Sequence, residues 1–268
     1  LGDAEIVVAG GVEAMSAAPY VLKTARWGQR LQHGEMTDSL WELLSDPIEK
    51  IMMGETAERL AEKYGISREE QDLVALRSHL NAVQASTEGR FAAEIVPVQV
   101  PGRKGAVTVE CDEHPRPEIA MESLSRLKPV FRPEGTVTAG NSSGLNDGAA
   151  ALLLMSTDKA AAFDLRPLAK IVAYAWAGVE PDLMGYGPVP ATNKALHKAG
   201  LSLADIELIE LNEAFAAQYL ACEKLLGLER EIVNVNGSGI GLGHPVGATG
   251  ARIVVTLVHE LIRRKHRY

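Results

Sequence analysis

The chain has 268 residues, 46% hydrophobic, 23% charged and 5% aromatic, with a net charge of −8. That length can hold one large domain or two modest ones with ample core, and the acidic balance argues against nucleic acid as a partner. No apolar run approaches the roughly 20 residues of a membrane span, and two cysteines without a framework fit a reducing compartment, the cytoplasm.

In chain order, residues 4–9 read as a short apolar strand ending in Gly10-Gly11. Residues 13–49 hold few periodic segments. Residues 56–87 read as helix broken near Tyr64-Gly65, with a capping signature at Ser67-Arg68-Glu69-Glu70 restarting it. Residues 94–100 and 107–109 look like edge strands around a turn at 101–105. Residues 148–156 are apolar nearly throughout, as a strand covered on both faces should be.

A second unit begins near Pro167. Strands at 169–177, 206–211 and 232–235 alternate with helices at 191–199, 216–226 and 247–264, which predicts a doubly covered, mixed or parallel sheet. Gly247, Ala248, Gly250 and Ala251 give the last helix a surface for close packing, and its otherwise apolar girth predicts a helix sandwiched between sheets. The cations at 263–267 suit the last turn of a helix through its dipole, without nucleic acid.

Two segments carry candidate chemistry. Gly239-Ile240-Gly241-Leu242-Gly243-His244-Pro245 is a glycine-dense turn with His244 placed where a helix begins, a setting that stabilises negative charge. The turn could equally serve close packing, with His244 as a cap, and residues 237–250 do not meet the G-x-G-x-x-G spacing of a dinucleotide site. Asn212, in Glu210-Leu211-Asn212-Glu213-Ala214-Phe215-Ala216, sits at another strand-to-helix junction, where an amide caps a helix or holds a water.

These two segments, with Val8-Ala9-Gly10-Gly11-Val12-Glu13-Ala14-Met15-Ser16 and the run from Gly135 through Asn141-Ser142-Ser143-Gly144-Leu145-Asn146-Asp147-Gly148 to Ala150, resemble in order and spacing the signatures of thiolases of the acetyl-CoA acetyltransferase type. The resemblance covers the whole chain. It implies an α/β, five-layered αβαβα fold: residues 1–12 and 145–166 from an incomplete N-terminal core domain, 13–144 an inserted loop domain, 167–268 the C-terminal core domain without its last strands. It implies reversible Claisen condensation of two acetyl-CoA to acetoacetyl-CoA and coenzyme A, with no permanently bound cofactor and no metal. It also implies a homo-oligomer, dimer or tetramer, with neither membrane nor nucleic acid as partner.

By the same resemblance His244 and a water on Asn212 form an oxyanion hole, and His244 deprotonates a nucleophilic cysteine. Glu213 either positions Asn212 or closes a strand end. Coenzyme A contacts are implied for Leu44, Met53, Arg116, Ser123, Phe131, Ser143, Ala214 and Phe215. Arg116 would face a nucleotide phosphate, Ser143 the pantetheine amide, and Met53, Phe215 and Met184 would narrow the acyl pocket. Met52 departs from the pattern, since many short-chain thiolases have histidine there.

Thiolases use two cysteines, and neither Cys111, in a charged proline-broken loop, nor Cys222, on a helix among apolar neighbours, stands in such a context. The expectation is a piece of a thiolase, inactive by itself and poorly soluble. A long-chain degradative 3-ketoacyl-CoA thiolase and a non-catalytic coenzyme A-binding module are the alternatives. A ketoacyl synthase would need a second histidine in place of Asn212.

Overall fold

The computed structural model describes residues 3–103 and 105–268, so Lys104 of the predicted 101–105 turn lies outside the described residues. The first half runs β1 (Ile6–Ala14), β2 (Tyr20–Val21), β3 (Thr37–Asp38), α1 (Ser39–Leu43), α2 (Met53–Tyr64), α3 (Arg68–Thr87), β4 (Val98–Gly102), β5 (Gly105–Val109), α4 (Met121–Ser125), β6 (Asp147–Met155) and α5 (Thr157–Ala162). The second half contributes α6 (Pro188–Ala199), α7 (Ala216–Leu226), the single turn α8 (Gly239–Leu242) and α9 (Val246–Arg264).

The break between α2 and α3 is set by local chemistry. Gly65 ends α2 with φ +61°, a conformation that favours glycine. Ser67 then starts α3 by accepting the Glu70 N–H while its own N–H donates to the Glu70 carboxylate at 2.7 Å.

The core lies where α2, α3, α7 and α8 meet, around Leu60, Val74, Ala75, Val137, Tyr219 and Ile240. Two buried carboxylates bind the 135–141 segment to this core. Glu58 on α2 accepts the N–H groups of Thr136 and Val137, each at 2.9 Å, and Asp72 on α3 accepts from the Asn141 side-chain amide at 2.9 Å. The same segment pairs with the Asn212 motif: Ala216 N–H donates to Asn141 O (2.9 Å) and Ser143 N–H to Ala214 O (3.0 Å). Two motifs some seventy residues apart are thereby joined edge to edge.

β1 and β6 pair antiparallel along their whole length, Ile6 facing Met155 and Ala14 facing Asp147. One face of this hairpin packs on α9: a Cβ added at Gly11 would lie 1.9 Å from the Gly247 carbonyl oxygen. The expectation that 148–156 is covered on both faces fails here, because the opposite face is open, with Val8 75% and Val12 73% exposed. For the same reason α9 is not sandwiched, and Val254 and Ile262 reach solvent.

The predicted mixed or parallel sheet of the second half also needs correction. Among the described residues every named sheet is two-stranded and antiparallel. Residues 169–177 form no strand; Lys194 and Lys198 of α6 donate to the carbonyls of Trp176 and Tyr174 instead.

Segments 206–211 and 232–235 meet at one parallel bridge, with Ile209 between Ile232 and Asn234. The ladder stops because Asn234 turns left-handed at φ +50° and its side chain takes over. Asn234 Oδ1 accepts the Leu211 N–H at 2.8 Å, and Nδ2 donates to the Leu211 carbonyl at 2.7 Å. The segment at 94 is likewise a turn closing on Phe91, and β4 begins only at Val98. No helix among the described residues is long and apolar enough to cross a membrane.

Candidate active site

His244 stands two residues before α9, on the turn that leaves α8. The glycines before it let α8 lie against α3: a Cβ at Gly241 would sit 2.4 Å from the Ser78 carbonyl oxygen. Ser78 completes that joint. Its hydroxyl donates to Glu213 and accepts the N–H groups of Ser238 (3.2 Å) and Gly241 (2.9 Å). The glycine pattern therefore packs α8 on α3 and, by the same turn, sets His244 just ahead of α9.

The His244 ring is fixed from one side by Thr249. The Thr249 hydroxyl donates to the Pro245 carbonyl at 2.9 Å and lies 2.7 Å from His244 Nδ1. A hydroxyl has one proton to give, so Nδ1 carries the ring proton and donates to Thr249. Nε2 keeps its lone pair, and Asn212 Nδ2 lies nearly equidistant from Nε2 (3.4 Å) and Nδ1 (3.5 Å), beside the ring rather than along that lone pair. Burial, with the charge of Arg252 adding to it, lowers the His244 pKa to about 4, so the ring is a neutral base at neutral pH.

Asn212 enters from the bridge-paired segment. Gly239 passes so close that a Cβ would lie 2.8 Å from Asn212 Oδ1, and this oxygen is buried without a protein donor. Glu213 faces away from the site. Its carboxylate takes Ser78 on one oxygen and Asn234 Nδ2 (2.9 Å) on the other, and burial raises its pKa. It anchors the segment to α3 and to Asn234.

The expected coenzyme A contacts fall into two groups. In the first, Met53 N–H donates to Leu44 O at 2.9 Å, and Gly54 abuts the Phe131 ring. Phe131 packs edge-on against Phe215 at 6.2 Å, beside the Ser143–Ala214 hydrogen bond. In the second, Arg116 and Ser123 line a cavity of about 160 Å³ with His79, His114 and Ser142. Among the described residues the Arg116 guanidinium forms no ion pair, so it is open to an anion.

Met184 stands apart, half exposed on the turn Pro181–Tyr186. Met52 caps α2, and its sulfur accepts from the Ser45 hydroxyl at 3.1 Å.

Neither cysteine joins His244. Cys111 is exposed, and Cys222 is buried on α7, where its thiol donates to Gly185 O at 3.3 Å and burial pushes its pKa to about 11. Sequence reasoning did not single out Ser78, His79, His114, Asn146, Asn234 or Thr249. Asn146 and Thr249 stood inside the motifs at 135–150 and 239–250 without being assigned a role; the others meet the site through the fold.

Residues 1–158 match the model of the thiolase N-terminal domain, and residues 165–268 that of the thiolase C-terminal domain. The chain belongs to the thiolase family. It is 56% identical to the acetyl-CoA acetyltransferase of Pseudomonas aeruginosa, over 98% of this chain and 67% of that one. It is 52% identical to beta-ketothiolase BktB of Cupriavidus necator, over all of this chain and 68% of that protein.

Among solved structures, the Bacillus anthracis acetyl-CoA acetyltransferase superposes with a TM-score of 0.97 at 61% identity, over 99% of this chain and 68% of that chain. Human mitochondrial 3-ketoacyl-CoA thiolase in complex with CoA gives 0.95 at 48% identity, over 99% of this chain and 66% of that chain. The fold is thus the thiolase fold, and this thiolase chain spans about two thirds of the length of the relatives it matches.

Proposed function

We propose that this chain carries the base and oxyanion-binding half of a thiolase site acting on acetyl-CoA. The observation behind it is the neutral His244 ring beside Asn212, its Nδ1 proton committed to Thr249 so that the lone pair is left on Nε2. Condensing two acetyl-CoA, or thiolysing acetoacetyl-CoA, places negative charge on a thioester oxygen twice. Nε2 takes the proton of a cysteine thiol, and the new Nε2–H is then a donor at that oxygen. Asn212 Oδ1, buried and unpartnered, has the capacity to hold a water there. Donors of this kind contribute about 3 kcal/mol each to such transition states.

Coenzyme A is read along both groups of contacts. Arg116 pairs with a phosphate at the cavity of His79 and His114, Ser123 lies on its rim, and Ser143 meets the pantetheine arm. Leu44 and Phe131 line the pantetheine slot beside Ala214, and Met53 and Phe215 narrow the acyl pocket, with Met184 at its outer edge. The reading also includes a homo-oligomer, dimer or tetramer, in a reducing compartment such as the cytoplasm.

The nucleophile is not supplied by Cys111 or Cys222, given their positions. The test is thiolysis of acetoacetyl-CoA by the 268-residue chain beside a version extended at both ends to the length of its relatives. Turnover confined to the extended chain, and abolished by His244→Ala, supports the reading. Turnover by the short chain would overturn the site. Coenzyme A binding without turnover in either would favour a binding module, and preference for long 3-ketoacyl-CoA would favour the degradative thiolase.

A further inference from the structure

The turn that carries His244 is gripped from the opposite half of the chain. Gly148 of β6 packs on the Pro245 ring, and the Gly247 N–H donates to Glu13 Oε2 at 3.1 Å. The third point is Asn146, one residue before β6. Its Oδ1 accepts the His244 backbone N–H at 3.1 Å, and its Nδ2 lies 3.3 Å from His114 Nδ1. Its amide also lies flat on Gly243, which holds φ +97°; a Cβ there would come within 2.6 Å of Asn146 Cγ.

The polarity of this arrangement has one solution. His114 Nε2 lies 2.9 Å from the Ile240 carbonyl oxygen, which can only accept, so Nε2 carries the proton. Burial lowers the His114 pKa and keeps the ring neutral, leaving a lone pair on Nδ1. That lone pair takes Asn146 Nδ2–H, which turns Asn146 Oδ1 toward the His244 N–H. Flipping the amide would set acceptor against acceptor and donor against donor at once. The chain of bonds runs one way from His244 through Asn146 and His114 to Ile240.

We propose that Asn146 is a positioning residue that sets the height of His244 opposite Asn212 and ties it to His114 in the wall of the Arg116 cavity. The N–H of His244 precedes a helix and has no partner within its own turn, so Asn146 is what holds that backbone. The ring in turn has little latitude, with Thr249 2.7 Å from Nδ1 and the Asn212 amide nitrogen 3.5 and 3.4 Å from its two nitrogens. This role rests on His244 being the base.

The test is hydrogen exchange read by mass spectrometry on the 268-residue chain, following backbone amides and the ring Cε1–H of His244 and His114. Asn146→Ala should speed exchange in the 243–247 peptide on the order of tenfold, the loss of one hydrogen bond, and alter the His244 ring rate. Asn146→Asp keeps the acceptor and should keep the His244 amide protected, while changing the His114 ring, which loses its donor. Uniform acceleration through β1, β6 and α9, or equal effects of Asp and Ala, would overturn the proposal as mere loss of stability. Should the Ala variant not fold, an unchanged His114 ring in the Asp variant overturns it alone. A confirmed exchange pattern with an active His244→Ala in the extended chain would retain the positioning and remove the catalytic reading.

Discussion

Thr249 Oγ1 and His244 Nδ1 face each other at 2.7 Å across the first turn of α9, and that contact selects the tautomer of the base. Thr249→Val keeps the shape and removes the acceptor. Kinetics in the extended chain should show kcat falling on the order of tenfold with KM little changed, as when a group orienting a reacting side chain is lost. An equal rise in KM would place Thr249 in binding instead.

Buried carboxyls set the pH dependence of folding above neutrality. Burial raises Glu94 to about 7 and Glu210 to about 8, so each keeps its proton where the unfolded chain has released it. Their stabilisation is complete below about pH 4.5 and is lost as pH rises through 7 and 8. His79 and His244, lowered to about 4, work only below 6.5, where acid protonates the unfolded chain first. Melting temperature should therefore fall between pH 6.5 and 8.5, and Glu210→Gln should flatten that decline. A flat profile in the parent would mean that Glu210 is ionised against Arg252, 3.8 Å away.

Asn234 replaces a strand with a side chain, at three hydrogen bonds to Leu211 and Glu213. Asn234→Ala leaves buried partners unpaired in a left-handed backbone and should cost about 3 kcal/mol in denaturant unfolding. Asn234→Gly relieves the backbone yet loses the same bonds, so the difference between the two variants measures the conformational part alone.

Arg116 should matter to coenzyme A through charge. Arg116→Ala is expected to weaken binding on the order of tenfold by calorimetry, and the loss should shrink as salt is raised. A salt-independent loss would point to packing rather than phosphate.

The open face of the β1–β6 hairpin and the 168–176 stretch, with Trp176 73% exposed, form apolar surface of the kind that drives association. The 268-residue chain should elute from size exclusion as concentration-dependent assemblies. A single monomeric peak across a hundredfold dilution series would contradict this.

Local signals were legible without coordinates. The Gly65 stop and the Ser67–Glu70 box delimit α2 and α3, and helix periodicity placed α7 and α9 within a residue or two. Those features depend on neighbours three or four residues away, which a sequence displays directly. His244 and Asn212 were found through their motifs, which mark a place in a known pattern rather than a geometry.

What only the tertiary structure decided lies between distant segments. Residues 169–177 look like a strand, but a strand exists only where another backbone answers its hydrogen bonds. Residues 232–235 read as an apolar strand, yet the ladder ends at Asn234, whose side-chain amide takes both the N–H and the carbonyl of Leu211. Ser78 in mid-helix and Asn146 before a strand carry no mark of their own. Each matters because the fold brings an unpaired N–H, of Gly241 or of His244, to its side chain, and such a meeting is a property of packing rather than of composition.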